Sequence, residues 1–191
     1  MIDFLHPSYL AGGNRRQREV YHILSQLHIQ EVLKRHRPVV AGTIPIDVDV
    51  EDSDIDILCE YASPGDFEKT LRQHFSGQKD FRFRPTRSRG EESLVASFDY
   101  KGYKIEIFGQ MRPPAEQDGF VHMIVEHRIL RLCSRRFREE VRRLKREGLG
   151  TEPAFARLLG IDTDPYETLR GFKNLNDGEL AAHIPNEHLR G

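Results

Sequence analysis

The stretch AGTIPIDVDVEDSDIDILCE, residues 41–60, combines a small-residue turn with two aspartates in an apolar run. Gly42 and Thr43 form the turn, and after a spacer of ten residues, 44–53, Asp54 and Asp56 alternate with isoleucines. Because alternate residues of a β-strand face the same side, the two carboxylates should point one way and the isoleucines into a core. Two such carboxylates repel each other unless a cation lies between them. We therefore predict a site for a hard divalent cation, and Mg²⁺ in proteins commonly accompanies a phosphate.

A third acid, Glu106, lies between two isoleucines in the predicted strand KIEIFG. A carboxylate in an apolar strand is costly unless it is paired, hydrated or bound to a metal. If this strand lies beside the strand of Asp54 and Asp56, three carboxylates meet at one end of a sheet and would hold two Mg²⁺ ions roughly 3.5–4 Å apart. Glu106 would then accept the proton of an incoming hydroxyl.

Helix signals flank the quoted stretch on both sides. Asn14 and Gln17 have the spacing of a capping box, and Ser63 followed by Pro64 begins a second helix. Apolar or alternating residues predict strands at VVAG, at DIDILCEY and from FRFRP. The polar segment RSRGEE predicts a loop. After it we predict two strands joined by a turn at Lys101-Gly102. The predicted fold class is α/β (α+β): a small mixed sheet with flanking helices and a helical C-terminal part.

The predicted organisation has three parts. Residues 1–112 form the α/β core, and residues 113–173 form the helical C-terminal part, which contains a helix capped by Ser134 and a later helix capped by Thr151. Residues 174–191 form a polar tail that we expect to fray.

Composition limits the class of protein. The formal net charge of −1 argues against a protein whose whole surface binds nucleic acid. No apolar run approaches the roughly 20 residues that span a bilayer, and the N-terminus lacks the pattern of a signal peptide, so we expect no membrane partner. With only Cys59 and Cys133 present, a disulfide framework is excluded and a reduced cytoplasmic protein is expected. Whether the chain forms oligomers stays open.

The motifs together resemble a known family. A Gly-Thr turn, a ten-residue spacer, Asp-Ile-Asp and a later apolar-Glu-apolar strand resemble the nucleotidyltransferase superfamily typified by DNA polymerase beta and by aminoglycoside nucleotidyltransferases. The resemblance covers residues 38–110, with SDIDIL as its sharpest element, and Thr43 replaces the usual serine. The whole chain also resembles an uncharacterised bacterial family of that superfamily, known only as a domain of unknown function, through AGTIPIDVD, EIFGQ and TEPAFA.

The resemblance implies a nucleotidyltransferase-like fold and a metal-dependent reaction. A nucleoside monophosphate would move from a nucleoside triphosphate to a hydroxyl of a small molecule or protein, with nucleic acid as a less favoured acceptor. Asp54 and Asp56 would ligate Mg²⁺ or Mn²⁺, and Glu106 would be the third ligand or the base.

The same resemblance assigns nucleotide contacts to the turn. Gly42 and Thr43 would contact the triphosphate through backbone N–H groups and a hydroxyl. Ser53 would hydrogen-bond a phosphate, or would only orient Asp54.

Other interpretations of these residues remain. The fold would also suit a binding module that holds a nucleotide or partner without turnover, or a domain that a cation merely stabilises. Asp54 and Asp56 would then be a solvated pair on an edge strand. Glu106 would be an ion-pair partner of Lys104, which shares its strand face.

Charged and polar residues outside these motifs have two interpretations each. Arg128–Arg146 contains nine basic and two acidic residues, and most of it belongs to a helix predicted over residues 134–147. This basic run is either a solvated helix face or a binding surface for a polyanion. The acidic run DVDVED, residues 47–52, lines a wet loop or adds to a field that attracts a cation. Arginines beside the predicted sheet suit phosphate, or only aid solubility: Arg82, Arg84, Arg87 and Arg89. Three polar residues would recognise the acceptor or base, or would be satisfied structural groups: Gln110, Gln117 and His122.

Overall fold

The computed structural model describes residues 2–190, which form two compact units. One unit comprises the chain up to Pro45 together with Asp52–Phe120, and the other comprises Ile46–Glu51 together with the chain from Val121 onward. Within residues 2–190, no helix is both long enough and apolar enough to cross a membrane. The sequence-based boundaries after residues 112 and 173 stay predictions.

The first unit is built on one five-stranded sheet. Its strands are β1 (Val39–Ala41), β2 (Ile55–Glu60), β3 (Lys79–Ser88), β4 (Glu91–Tyr100) and β5 (Tyr103–Gln110). They lie in the order β1-β2-β5-β4-β3, and only the β2–β5 pair is parallel. The mixed sheet and the adjacency of the two acid-bearing strands agree with the sequence-based expectation.

Two of the helices of this unit, the first and the third, begin at the predicted caps. The helices are α1 (Arg15–Gln26), α2 (Ile29–Val32) and α3 (Pro64–Phe75), with 3₁₀ turns at Pro7–Gly12, Lys34–His36 and Pro114–Glu116. The predicted capping box of α1 is confirmed: the Asn14 side chain accepts from the Gln17 backbone N–H at 2.9 Å, and the Gln17 side chain accepts from the Asn14 N–H at 2.9 Å. The Ser63 hydroxyl likewise accepts from the Asp66 N–H at 3.3 Å, capping α3.

Apolar residues of the sheet and of these helices form one core. The isoleucines of β2 and β5 point into it, and so do the apolar faces of α1 and α3. The rings of Phe75 on α3 and Phe98 on β4 stack with centroids 5.2 Å apart. Because strand residues alternate between faces, the residues between these isoleucines must lie on the other face of the sheet.

A close contact between α3 and β5 gives a testable prediction. A Cβ at Gly109 would lie 2.3 Å from Cε1 of Phe67, whose side chain is fully buried. Gly109→Ala should therefore lower the free energy of unfolding by about 1–3 kcal/mol, since a packed core absorbs an added methyl group poorly. Urea unfolding measures this, with Gly65→Ala as the control because nothing lies within 4 Å of a Cβ there. Equal stability of the two variants would contradict the close packing.

Two tight turns connect the three antiparallel strands. The predicted turn at Lys101-Gly102 is confirmed, with φ of 49° and 82°. The prediction of a loop at RSRGEE was wrong, because β3 and β4 continue through it and leave only Arg89 and Gly90 as a turn. The polar residues in this segment belong to strand ends, where solvent accepts charged side chains as readily as in a loop.

The second unit is helical, as predicted for the region after residue 113. Its helices include most of α4 (Asp118–Leu132) and all of α5 (Arg135–Arg146), α6 (Thr151–Leu159), α7 (Pro165–Gly171) and α8 (Asp177–Ala181), with 3₁₀ turns at Phe172–Asn174 and Asn186–His188. Phe137 of α5 and Phe155 of α6 pack edge to face at 5.7 Å. Gly150, not Thr151, occupies the N-cap of α6. Leu180 and Ile184 are buried, so the predicted tail contributes to the packing.

The basic helix α5 binds the acidic loop of its own unit. Arg138 and Arg142 each donate to the Asp47 carboxylate at 2.6 Å, and Arg146 lies 3.1 Å from the Glu51 carboxylate. These arginines are spaced four residues apart and so share one helix face. Several arginines of the basic run therefore form ion pairs within the protein, which weakens the interpretation of this run as a binding surface for a polyanion.

Candidate functional site

The turn after β1 brings the backbone against Asp56. Ala41 pairs with Asp56 across β1 and β2, and Gly42 follows with φ of +81°. A Cβ at Gly42 would lie 2.3 Å from Oδ2 of Asp56. Glycine is therefore required at position 42 for two reasons: the backbone is in the left-handed conformation, and it approaches the Asp56 carboxylate too closely for a side chain.

Asp56 and Glu106 are register partners on the parallel strands β2 and β5. Their strand neighbours are buried isoleucines, so both carboxylates lie on the opposite face of the sheet from the core. We call the sheet face that carries Asp56 and Glu106 the acid face. The structure thus brings two of the three predicted acids together on adjacent strands.

The third acid, Asp54, lies just before β2 and is held by Lys104. The Lys104 ammonium donates to Oδ2 of Asp54 at 2.6 Å, and both side chains are partly exposed. This hydrogen bond raises the pKa of Lys104, burial lowers it, and the charges of Asp54, Glu106 and Asp56 raise it further. The sequence allowed Glu106 as the ion-pair partner of Lys104, but the short contact of Lys104 is with Asp54.

The acids are not arranged as a compact metal centre. Among residues 2–190, no group of three or more histidine, cysteine, aspartate or glutamate side chains is close enough together to hold a metal ion. Carboxylate oxygens are nevertheless the ligands that Mg²⁺ prefers, and this set already holds one cation, the Lys104 ammonium. The donor chemistry fits magnesium, and metal binding by Asp54, Asp56 and Glu106 stays a prediction.

Two residues of α1 position the loops of the site, and the sequence analysis assigned them no such role. The buried Gln17 amide donates to the carbonyls of Ile44 at 2.9 Å and Pro45 at 3.1 Å, which fixes the loop after Thr43. Arg16 donates to the Ser53 carbonyl at 3.1 Å. The only signal in the sequence is that Gln17, a polar residue, continues the apolar stripe of α1.

The acid face extends across β4 and β3. Glu106 pairs with Ser97, and Ser97 pairs with Arg82, so these residues form a row with Asp56. Beside this row lies a hollow of about 320 Å³. Its lining comprises Asp80, Arg82, Ser97, Phe98, Asp99 and Lys104.

Most of the other polar candidates have structural partners. The Gln110 amide donates to the Ser93 hydroxyl at 3.0 Å, and the Gln117 amide donates to the Cys59 carbonyl at 2.7 Å. His122 contacts the Glu152 carboxylate at 3.0 Å. Their hydrogen bonds support a structural role for all three, and Gln110 and His122 are satisfied by them, whereas within residues 2–190 the buried Oε1 atom of Gln117 has no hydrogen-bond partner.

The arginine candidates differ in their surroundings, and Arg87 is exposed on β3, where it pairs with Glu92 of β4. Arg89 forms an ion pair with Asp118 at 2.6 Å. Arg82 and Arg84 are exposed on the acid face, where β3 is an edge strand. Of the predicted phosphate-binding arginines, these two lie on the same face as the acids.

Solved structures with a similar fold include a poly(U) polymerase and a chain of the GLD-2/RNP-8 complex. Cid1 poly(U) polymerase with MgGTP bound has a TM-score of 0.52 and 11% identity, over 85% of this chain and 53% of that chain. A chain of the GLD-2/RNP-8 complex has a TM-score of 0.52 and 12% identity, over 90% of this chain and 78% of that chain. Cid1 in complex with the UTP analog UMPNPP has a TM-score of 0.50 and 13% identity, over 85% and 51%.

At such identities the likeness shows the fold, which confirms the predicted nucleotidyltransferase-like class. The chain spans about half the length of the Cid1 chains it matches. No curated protein matches it in sequence. A family model described as Domain of unknown function (DUF4269) matches residues 22–171, and the chain therefore belongs to this family.

Proposed function

We propose that this protein is a metal-dependent nucleotidyltransferase that moves a nucleoside monophosphate from a nucleoside triphosphate to a hydroxyl of a small molecule or protein. The observation that carries the proposal is the register of β2 and β5, which pairs Asp56 with Glu106 on one face. The close approach of Gly42 to the Asp56 carboxylate adds to it, since it brings the backbone of a turn beside this acid. The fold shared with Cid1 supports the same class of chemistry.

Each residue has a role in this proposal. Asp54 and Asp56 would hold Mg²⁺, with Mn²⁺ as a substitute, and Glu106 would accept the proton of the acceptor hydroxyl. Backbone N–H groups at Gly42 and Thr43 would bind the triphosphate. Bound magnesium would neutralise phosphate charge, and the rest of the catalysis is positioning of the hydroxyl opposite the leaving pyrophosphate.

Ser53 would contribute through its position next to Asp54. Its backbone carbonyl accepts a hydrogen bond from Arg16, and its hydroxyl is the group that we propose to contact a phosphate. The carbonyl contact would keep the start of β2 in place while the nucleotide binds. Ser53 is thus proposed as a nucleotide-binding residue, not as a metal ligand.

Nucleotide titration tests the proposal. Calorimetric titration with each of the four nucleoside triphosphates should show binding that requires Mg²⁺ or Mn²⁺, and Asp54→Asn should weaken it about tenfold or more. Asp162→Asn is the matched control, since Asp162 is exposed and lies in the second unit. Pyrophosphate release would then be measured with panels of hydroxyl acceptors. Binding that needs no metal, or that Asp54→Asn leaves intact, would overturn the proposal.

A second candidate is a non-catalytic module that binds a nucleotide or partner on the same fold. The observation that favours it is the Lys104 contact, which places an ammonium against a predicted metal ligand. This candidate predicts nucleotide affinity that persists in Asp54→Asn and no pyrophosphate release with any acceptor. The same titrations therefore separate the two.

A further inference from the structure

Lys104 is built into the acid face. It lies on β5 two residues before Glu106, so both side chains project from the same side of the sheet. Its ammonium is 2.6 Å from Oδ2 of Asp54, which is 50 positions earlier in the chain. Lysine carries one fixed positive charge at neutral pH on a flexible stem. A mobile monovalent cation is thus present where the proposed function requires a divalent one.

The position of Lys104 accounts for the open arrangement of the acids. Asp56 and Glu106 are neighbours on adjacent strands, and their like charges repel when no cation is near. The ammonium offsets part of this repulsion and draws the Asp54 carboxylate towards itself. A metal ion that uses Asp54 as a ligand must therefore break the Lys104 contact first.

A second position for the ammonium exists on the same face. Asp99 of β4 is the register partner of Lys104, and both residues line the hollow beside the acids. Asp99 already attracts a cation, since the Lys79 ammonium lies 3.5 Å from its carboxylate. Rotation of the Lys104 side chain from Asp54 towards Asp99 would free the metal ligand without moving the backbone.

We propose that Lys104 is a resident counter-ion of the acid face, which competes with free divalent cations for Asp54 and gives way when the metal arrives with a nucleoside triphosphate. The inference rests on the proposed function and adds a positioning residue to it. Because the metal must displace an ammonium, free Mg²⁺ should bind weakly. The binding energy of the triphosphate would offset the displacement, so the acids would be loaded with metal mainly when substrate is present.

Binding of Mn²⁺ alone, measured by electron paramagnetic resonance without nucleotide, tests this directly. In Lys104→Met the Kd for Mn²⁺ should fall about tenfold, because a competing charge has been removed. Lys104→Arg keeps the charge and should leave the Kd near that of the wild type. Lys69→Met changes the net charge equally on an exposed residue of α3 and should have no effect. Lys104→Gln is the second neutral variant, should the methionine variant fold poorly.

The outcomes separate this inference from the proposed function. If the neutral Lys104 variants bind Mn²⁺ more tightly than the wild type and Lys69→Met does not, the counter-ion role of Lys104 is supported. The same holds if the neutral variants bind Mn²⁺ and the wild type shows no binding. An unchanged or weaker Mn²⁺ affinity overturns it, and metal-dependent nucleotide binding by the wild type would then leave the proposed function standing. Absence of Mn²⁺ binding in every variant, together with nucleotide binding that needs no metal, would overturn both.

Discussion

Gly42→Ala is expected to destabilise the protein by about 2–4 kcal/mol and to abolish metal-dependent nucleotide binding. One part of the cost is the backbone, since φ of +81° is unfavourable for a residue with a Cβ. The other part is the contact with Asp56, whose Oδ2 would lie 2.3 Å from the new methyl carbon. The carboxylate must then turn away from its place beside Glu106. Chemical denaturation and calorimetric titration with a magnesium nucleotide measure the two effects.

Gly102→Ala separates the two causes. Gly102 has φ of +82°, but nothing lies within 4 Å of a Cβ there. We expect a loss of about 1–2 kcal/mol from the backbone alone, with nucleotide binding unchanged. If both variants lose the same stability and both bind nucleotide, the turn at Gly42 has no specific relation to Asp56.

Glu126→Gln is expected to remove a pH dependence of stability. Glu126 on α4 is buried, and within residues 2–190 its Oε1 atom has no hydrogen-bond partner. The pKa of Glu126 is raised to about 8, mainly by burial and in smaller part by the charge of Glu152, while the charge of Lys145 opposes the shift. A buried carboxyl group with these neighbours favours its neutral form, so the native state holds the proton more tightly than the unfolded chain does.

The direction of the effect follows from that difference in proton binding. Below pH 4.5, the ordinary pKa of a glutamate carboxyl, Glu126 is neutral in both states and contributes no penalty. As the pH rises from there to about 8, the unfolded chain loses the proton first and the wild type loses stability. Above that window, the free energy of unfolding of Glu126→Gln should exceed that of the wild type by on the order of 5 kcal/mol at most.

Thermal or urea unfolding between pH 4 and pH 9 checks this prediction. Glu116→Gln, at an exposed position of the first unit, is the control and should follow the wild-type curve. If the free energies of unfolding of Glu126→Gln and the wild type change with pH in parallel, Glu126 loses its proton at the same pH in the folded and unfolded protein. The prediction would then be wrong.

Much of the fold followed from local patterns. The capping box of Asn14 and Gln17, the cap at Ser63 and the turn at Lys101-Gly102 are encoded within a few residues, and short-range geometry was enough to predict them. The alternation of acids and isoleucines also predicted which side chains leave the core. The loop predicted at RSRGEE was wrong, because charged strand ends contain the same types of residue as a polar loop.

Strand periodicity alone was enough to place Asp56 and Glu106 on the polar face of apolar strands, because it assigns each strand residue to a face. Asp54 lies just before β2, and its partner, like those of the other polar groups, is known from the three-dimensional arrangement and not from periodicity. The contacts of Lys104 with Asp54, Gln17 with Ile44 and Arg138 with Asp47 join residues 50, 27 and 91 positions apart. Such pairings depend on strand order and loop paths, which periodicity does not encode, and they determine how the acids are held.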